Sequence, residues 1–223
     1  MKSASFLAFA AMVLMAPSFS FAAQSEKIEK AYHFFTSTVE GKKFKSESHG
    51  TLPSGVKYDF YRTQVVTNVK HSGELLTFQM AWSIKQDLFD SKADGTSAST
   101  PTNRDRIGLT DCQVAEMKST NELVGYCSVV ANTSVVAHGM SNVKMNIADG
   151  SLSMVLTTSG YVDSFASGNT FVPGRSETAT VFYKNDAGRT VSEELFKSWT
   201  VDPETLQATS EAKITPKQVV IAD

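Results

Sequence analysis

The spacing of apolar residues changes twice along this chain, and each change marks a different kind of element. Phe6 to Met15 is an almost unbroken apolar run behind one positive charge at Lys2. Pro17 and Ser18 end it, and Ser20-Phe21-Ala22 places small residues three before and one before a cut after Ala22. That is the layout of a secretory signal peptide. The run is too short for a spanning helix, which needs about 20 residues. Residues 1–22 are assigned as a leader, and 23–223 as a single β-rich domain with an N-terminal helix.

Beyond the leader the period becomes helical. Ile28, Ala31, Tyr32, Phe35 and Val39 recur at three- and four-residue steps, which gives one apolar face and predicts a helix over about 26–39. Ser25 is its N-cap and Gly41 its stop.

After Gly55 the period drops to two. VKYDFYRTQVVTNV and LLTFQMAWSI are β-branched and aromatic and flank a turn at His71-Ser72-Gly73-Glu74. The clearest pattern is NVKMNIADGSLSMVL. A type I′ turn at Asp149-Gly150, with positive φ at both residues, sets Ile147 against Leu152, Met145 against Met154 and Val143 against Leu156. The residues between are mostly Ser, Asn, Lys and Thr, so turn chemistry and alternation agree on one register. Asn185–Gly188 separates ATVFYK from RTVSEELF, and Asp202-Pro203-Glu204-Thr205 separates SWTV from LQATSEAKI.

Two segments break the pattern. Residues 90–106 hold no large apolar side chain and are expected to form a long polar loop. Residues 164–177, rich in Gly and Ser around Phe171-Val172-Pro173, are expected to form a second loop able to cover a site. The fold class that results is mainly β. About nine strands form an antiparallel meander, closed as a barrel or bent into a strongly curved sheet, with one N-terminal helix. A two-sheet β-sandwich is the alternative.

The cysteines extend this reading. Cys112 and Cys127 are the only two, an even number in an exported chain, and they are assigned as a disulfide. A hairpin turning at Lys118–Asn121 places them opposite one another. Closing that loop contributes roughly 3 kcal/mol by restricting the unfolded chain. Neither cysteine is near the cleavage site, so no lipid anchor is expected. The formal charge is −2, and losing Lys2 with the leader takes it to −3. With a pI of about 6.1 and scattered basic residues, the chain has no footprint for nucleic acid.

Motifs for chemistry are absent or accidental. Ser54-Gly55-Val56-Lys57 and Ser141-Asn142-Val143-Lys144 match SxxK, but neither opens a helix and the companion motifs are missing. Asp90, Asp94 and Gly95 echo a calcium loop, yet Lys92 and Pro101 stand at ligand positions. His33, His49, His71 and His138 have no metal-ligand spacing, and Glu193-Glu194 on a strand would point to opposite faces. No catalytic residue, metal site or cofactor is assigned. The expectation is a non-catalytic periplasmic or secreted protein, without stable membrane insertion, that binds an apolar or amphipathic small molecule inside the curved sheet. Val143, Met145, Ile147, Leu152, Met154 and Leu156 would line the ligand. The alternative is an envelope or cell-surface module that binds a protein partner through the loops at 90–106 and 164–177.

Overall fold

Asp149 and Gly150 turn the chain in the register their neighbours dictate: Ile147 faces Leu152, Met145 faces Met154, and Val143 faces Leu156. In this computed structural model the described residues are 25–51, 56–89, 102–103, 105–132, 140–164, 170–211, 213–214 and 217–223. The leader, Ser54, the calcium-like segment at 90–101, His138 and Phe165 lie outside them.

The helix α1, Glu26–Phe34, starts where Ser25 caps it, its hydroxyl accepting from the Ile28 N–H at 3.1 Å. It then widens into a π-turn over Phe35–Val39. The hydroxyls of Thr36 and Ser37 donate back to the Tyr32 and His33 carbonyls at 3.0 and 2.6 Å, competing with the α-helical ladder at that point. Gly41, with φ of 75°, ends the segment.

Twelve strands follow among the described residues: β1 (Lys43–Thr51), β2 (Lys57–Ser72), β3 (Leu75–Phe89), β4 (Thr102–Asn103), β5 (Arg106–Met117), β6 (Glu122–Asn132), β7 (Met140–Ala148), β8 (Ser151–Ser164), β9 (Thr170–Lys184), β10 (Thr190–Thr200), β11 (Lys213–Ile214) and β12 (Gln218–Ile221). They form one antiparallel sheet in the order β1-β2-β3-β5-β6-β7-β8-β9-β10-β11, with β4 beside β3 and β12 beside β10. The sheet curls into a nearly closed barrel. At one end β12 spans the seam: it pairs with β10, and the Asp223 N–H donates to the Lys43 carbonyl of β1 at 3.1 Å. A single continuous sheet excludes the sandwich.

Four expectations need correction. Positive φ is confined to Gly150 in its turn and does not extend to Asp149, so the turn is not type I′. RTVSEELF and SWTV are one strand, β10, because β9 pairs along its whole length from Thr190 to Thr200. Residues 170–177 are not loop: they belong to β9, held by β8 on one side and, from Gly174, by β10 on the other. Finally, β1 was not foreseen. Its sequence, KFKSESHGT, buries one large apolar side chain, Phe44, and its strand character comes from nine ladder partners on β2.

The disulfide joins Cys112 and Cys127, which are direct ladder partners with Cα atoms 4.0 Å apart. No helix among the described residues is long and apolar enough to cross a membrane. The core occupies one end of the barrel, where α1 and the π-turn act as a plug. Ile28, Ala31, Phe35 and Val39 are fully buried against inward residues of the sheet, including Phe78, Cys112, Val114, Leu152, Met154 and Phe182. Phe35 stacks on Phe78 at 4.9 Å between ring centroids. The plug is also tied to the strand ends. The Ser25 hydroxyl donates to Glu116 at 2.6 Å, and Lys27 Nζ donates to the Asn121 carbonyl.

Candidate functional site in the open half of the barrel

Residues directly opposed in an antiparallel ladder share a face, and the face alternates along each strand. The buried residues at the plugged end therefore identify the inward positions further along. On β2, inward Val66 is followed toward the other end by Gln64, Arg62, Phe60 and Tyr58. On β3, Met80 is followed by Trp82, Ile84, Gln86 and Leu88. On β9 and β10, Thr180 and Ser192 lead to Thr178, Ser176, Glu194, Phe196 and Ser198. The lining changes from close-packed aliphatic and aromatic groups to aromatics interleaved with hydrogen-bonding side chains. Exposure changes with it: Phe78, Val66 and Phe182 are buried, whereas Phe60, Trp82, Ile84 and Phe196 are only half-buried. The interior of this half, the lumen of the barrel, is thus less closely covered than the plugged end, although Leu88 is buried there.

One ion pair crosses the lumen wall. Arg62 on β2 binds Glu194 on β10, reaching over Ser46, the small β1 residue opposite it. Its other terminal nitrogen donates to Gln64 Oε1 at 2.8 Å, and Gln64 continues to the Met80 sulfur at 3.5 Å. The two charged side chains are 23% and 14% exposed, so they are partly desolvated yet reachable from the lumen. Glu193, the neighbouring carboxylate, points outward. There it accepts from Tyr183 and Lys217, and these hydrogen bonds, Lys217 first, hold its carboxyl below the usual range. The opposite facing expected for this pair is observed.

Two aromatic rings lie along the wall because glycines make room. A Cβ on Gly108 would stand 2.2 Å from the Trp82 ring, and one on Gly50 would stand 2.8 Å from the Tyr58 hydroxyl. Each glycine is the ladder partner of the aromatic that covers it. Trp82 Nε1 also donates to Thr110 Oγ1 at 3.2 Å, which fixes the ring. A side chain in either glycine position would displace its ring.

The six residues expected to line a ligand all face inward. Val143, Met145, Leu152 and Met154 are buried in the core beneath the lumen. Ile147 and Leu156 are partly buried and packed against that core. Ser141, of the second SxxK match, shares a 2.6 Å hydrogen bond with Thr158, while Lys144 turns outward to Glu122, so the two do not meet.

A second concavity, of about 490 Å³, lies on the rim of the open end around His49, Tyr58, Asp59 and Phe89. Here His49 Nδ1 is 2.6 Å from Asp59 Oδ1. Asp59 is also the ladder partner of Asp87, and like charges directly opposed on one face repel. Lys85, 3.5 Å from Asp87, stands where it offsets that repulsion. Reading β1 as a strand would have been the signal for the His49–Asp59 pair, since the β1–β2 register sets the two opposite each other. No protein-family model matches the chain, and no curated protein or solved structure is significantly similar to it.

Proposed function

We propose that this is an exported, non-catalytic binding protein whose open barrel half takes up an amphipathic small molecule. The observation that carries the reading is the graded interior. One end is filled by the plug. The other offers Trp82, Phe60, Ile84 and Phe196 as apolar surface beside the Arg62–Glu194–Gln64 cluster. Sites for small molecules combine these two features, an apolar lining and a few placed polar groups. A ladder of ten strands is also wider than the eight that just accommodate side chains or one small ligand. In this reading Val143 and Leu156, the ladder pair nearest the open end among the six residues, border the floor, and Met145, Met154, Ile147 and Leu152 lie deeper, toward the Asp149-Gly150 turn. Export is supported by the leader-like first 22 residues and by the disulfide, which persists in oxidising compartments.

Native mass spectrometry of protein purified from its own envelope tests the idea, together with quenching of Trp82 fluorescence by a series of fatty acids and alcohols. Specific saturable binding that weakens in Phe60→Ala, which keeps the Trp82 reporter, supports it. A protein that carries nothing and binds none of the series overturns it.

A second reading rests on a separate observation. Ile107, Val130 and Met140, at the open end of β5, β6 and β7, are 59%, 52% and 64% exposed on the outer face. Exposed apolar groups on adjoining strands suit a contact with an envelope protein. Crosslinking in intact cells with a photoreactive residue at Met140 separates the two readings, because only this one expects a single captured partner.

A further inference from the structure

At the plugged end, away from the lumen, Ser37 of the π-turn, Lys42 beyond it, and Lys184, Gly188, Arg189 and Thr190 of the β9–β10 hairpin surround a cavity of about 270 Å³. Three of these residues are cations. Among the described residues, none of the three has an ion-pair partner, although ten such pairs form elsewhere in the molecule. Three like charges around one concavity repel each other unless an anion sits between them.

Among the described residues no protein carboxylate lies within ion-pair distance of these cations. Asp223, beside Ala222, is held by Lys45 at 2.6 Å and meets Arg189 only at longer range, and Asp186 of the hairpin pairs with none of them. Glu40 turns away and accepts the Val69 N–H at 2.9 Å. The end of a helix normally presents carbonyl oxygens that would oppose an anion. Here several already accept hydrogen bonds: Phe35 from the Glu40 N–H, Thr38 from the Thr190 hydroxyl, and Val39 from the Lys42 N–H. Those carbonyls are thus already engaged by protein donors.

We propose that this cavity is a binding site for a phosphate-type dianion, either a dissolved phosphate ester or the headgroup of an anionic lipid. Two lysines supply point charges, and Arg189 supplies a planar fork that meets two oxygens at once. The volume exceeds that of a bare phosphate, leaving room beside Ala222 for the esterified group. The site is independent of the lumen and of any ligand taken up there.

The test is a titration of the purified protein at low ionic strength, followed through the amide resonances of Ser37, Gly188 and Arg189. Inorganic phosphate is titrated first, then glycerol phosphate. The expected result is saturable shifts at these amides that weaken with added salt. Lys184→Gln with Arg189→Gln should bind about tenfold more weakly or worse, since hydrogen bonds to charged groups are lost. Lys144→Gln on β7 should bind like the parent. Flotation with phosphatidylcholine vesicles, with and without phosphatidic acid, identifies the source. Capture only by the acidic vesicles, lost in the double variant, indicates a headgroup, whereas saturation by glycerol phosphate without capture indicates a soluble ester. No shift with either phosphate and no capture, or equal binding by the double variant and Lys144→Gln, overturns the proposal.

Discussion

The two ends of this barrel are built from the same strands and do opposite things. At the plugged end, inward positions carry Val, Leu, Met, Phe and the disulfide, and an amphipathic helix fills the remaining space. At the open end, the same strands carry Arg62, Gln64, Gln86, Glu194 and Ser176 among their aromatics. The turns differ as well. Gly73-Glu74, Lys118–Asn121, Asp149-Gly150 and Asn185–Arg189 close the plugged end in a few residues each. The connections at the opposite end are mostly longer, as between Phe89 and Arg106. The difference teaches that stability and recognition are separated along the barrel axis: one end holds the molecule together, and the other is free to vary.

The sharpest way to break that division is to empty the plug. Phe35 is fully buried, so Phe35→Ala should cost about 3–5 kcal/mol, read as a lower urea midpoint. A loss below about 1 kcal/mol would mean that the helix is an accessory and the barrel stands without it.

Arg62→Met should cost less, about 1–3 kcal/mol, because it leaves Glu194 partly buried without its partner. Adding Glu194→Leu should restore most of that loss, since an apolar pair can replace an ion pair. Chemical denaturation of the single and double variants measures the difference. If both open-end variants matched Phe35→Ala, the division of labour would fail.

Gly108→Val should change stability by only about 1 kcal/mol, the low end for overpacking, while pushing the Trp82 ring into the lumen. Weaker uptake of an apolar fluorescent probe, with an almost unchanged melting temperature, is the expected signature. Unchanged uptake would show that the probe sits elsewhere.

The smallest effect concerns pH at the open-end turn. Asp202 accepts from the Thr205 and Glu204 N–H groups and the Thr205 hydroxyl, with Thr205 dominant, and this holds its carboxyl below the usual value. A carboxyl lowered in the fold adds stability above its unfolded value, and that stability is lost as pH falls through the folded value. The melting-temperature gap between the parent and Asp202→Ala should therefore be present near neutrality and close in acid.

These contrasts also explain what could be read in the chain. The hairpin from Val143 to Leu156 was legible because alternation and turn residues agree within fifteen residues of sequence. The disulfide was legible because its cysteines flank one turn, and the helix start because Ser25 and the apolar stripe coincide. β1 was not, since both its faces are polar apart from Phe44 and only pairing with β2 reveals it. The lumen cluster was not, because Arg62 and Glu194 are 132 positions apart. Neither residue is unusual in its own strand. Only closure of the sheet makes them neighbours, and the cationic cavity likewise joins the helix end to a distant hairpin.

The seam has a consequence for how the molecule is made. Every other ladder between successive long strands joins segments close in sequence and can form as the chain emerges. The bond from the Asp223 N–H to Lys43, and the ion pair from Lys45 to Asp223, span almost the whole domain. Contacts of such long range carry the largest closure entropy and form late. Until they do, β1 and β10 are open edges, the condition under which strands of separate chains pair. The few residues of β12 thus act as a timer on the risk of association as well as a clasp.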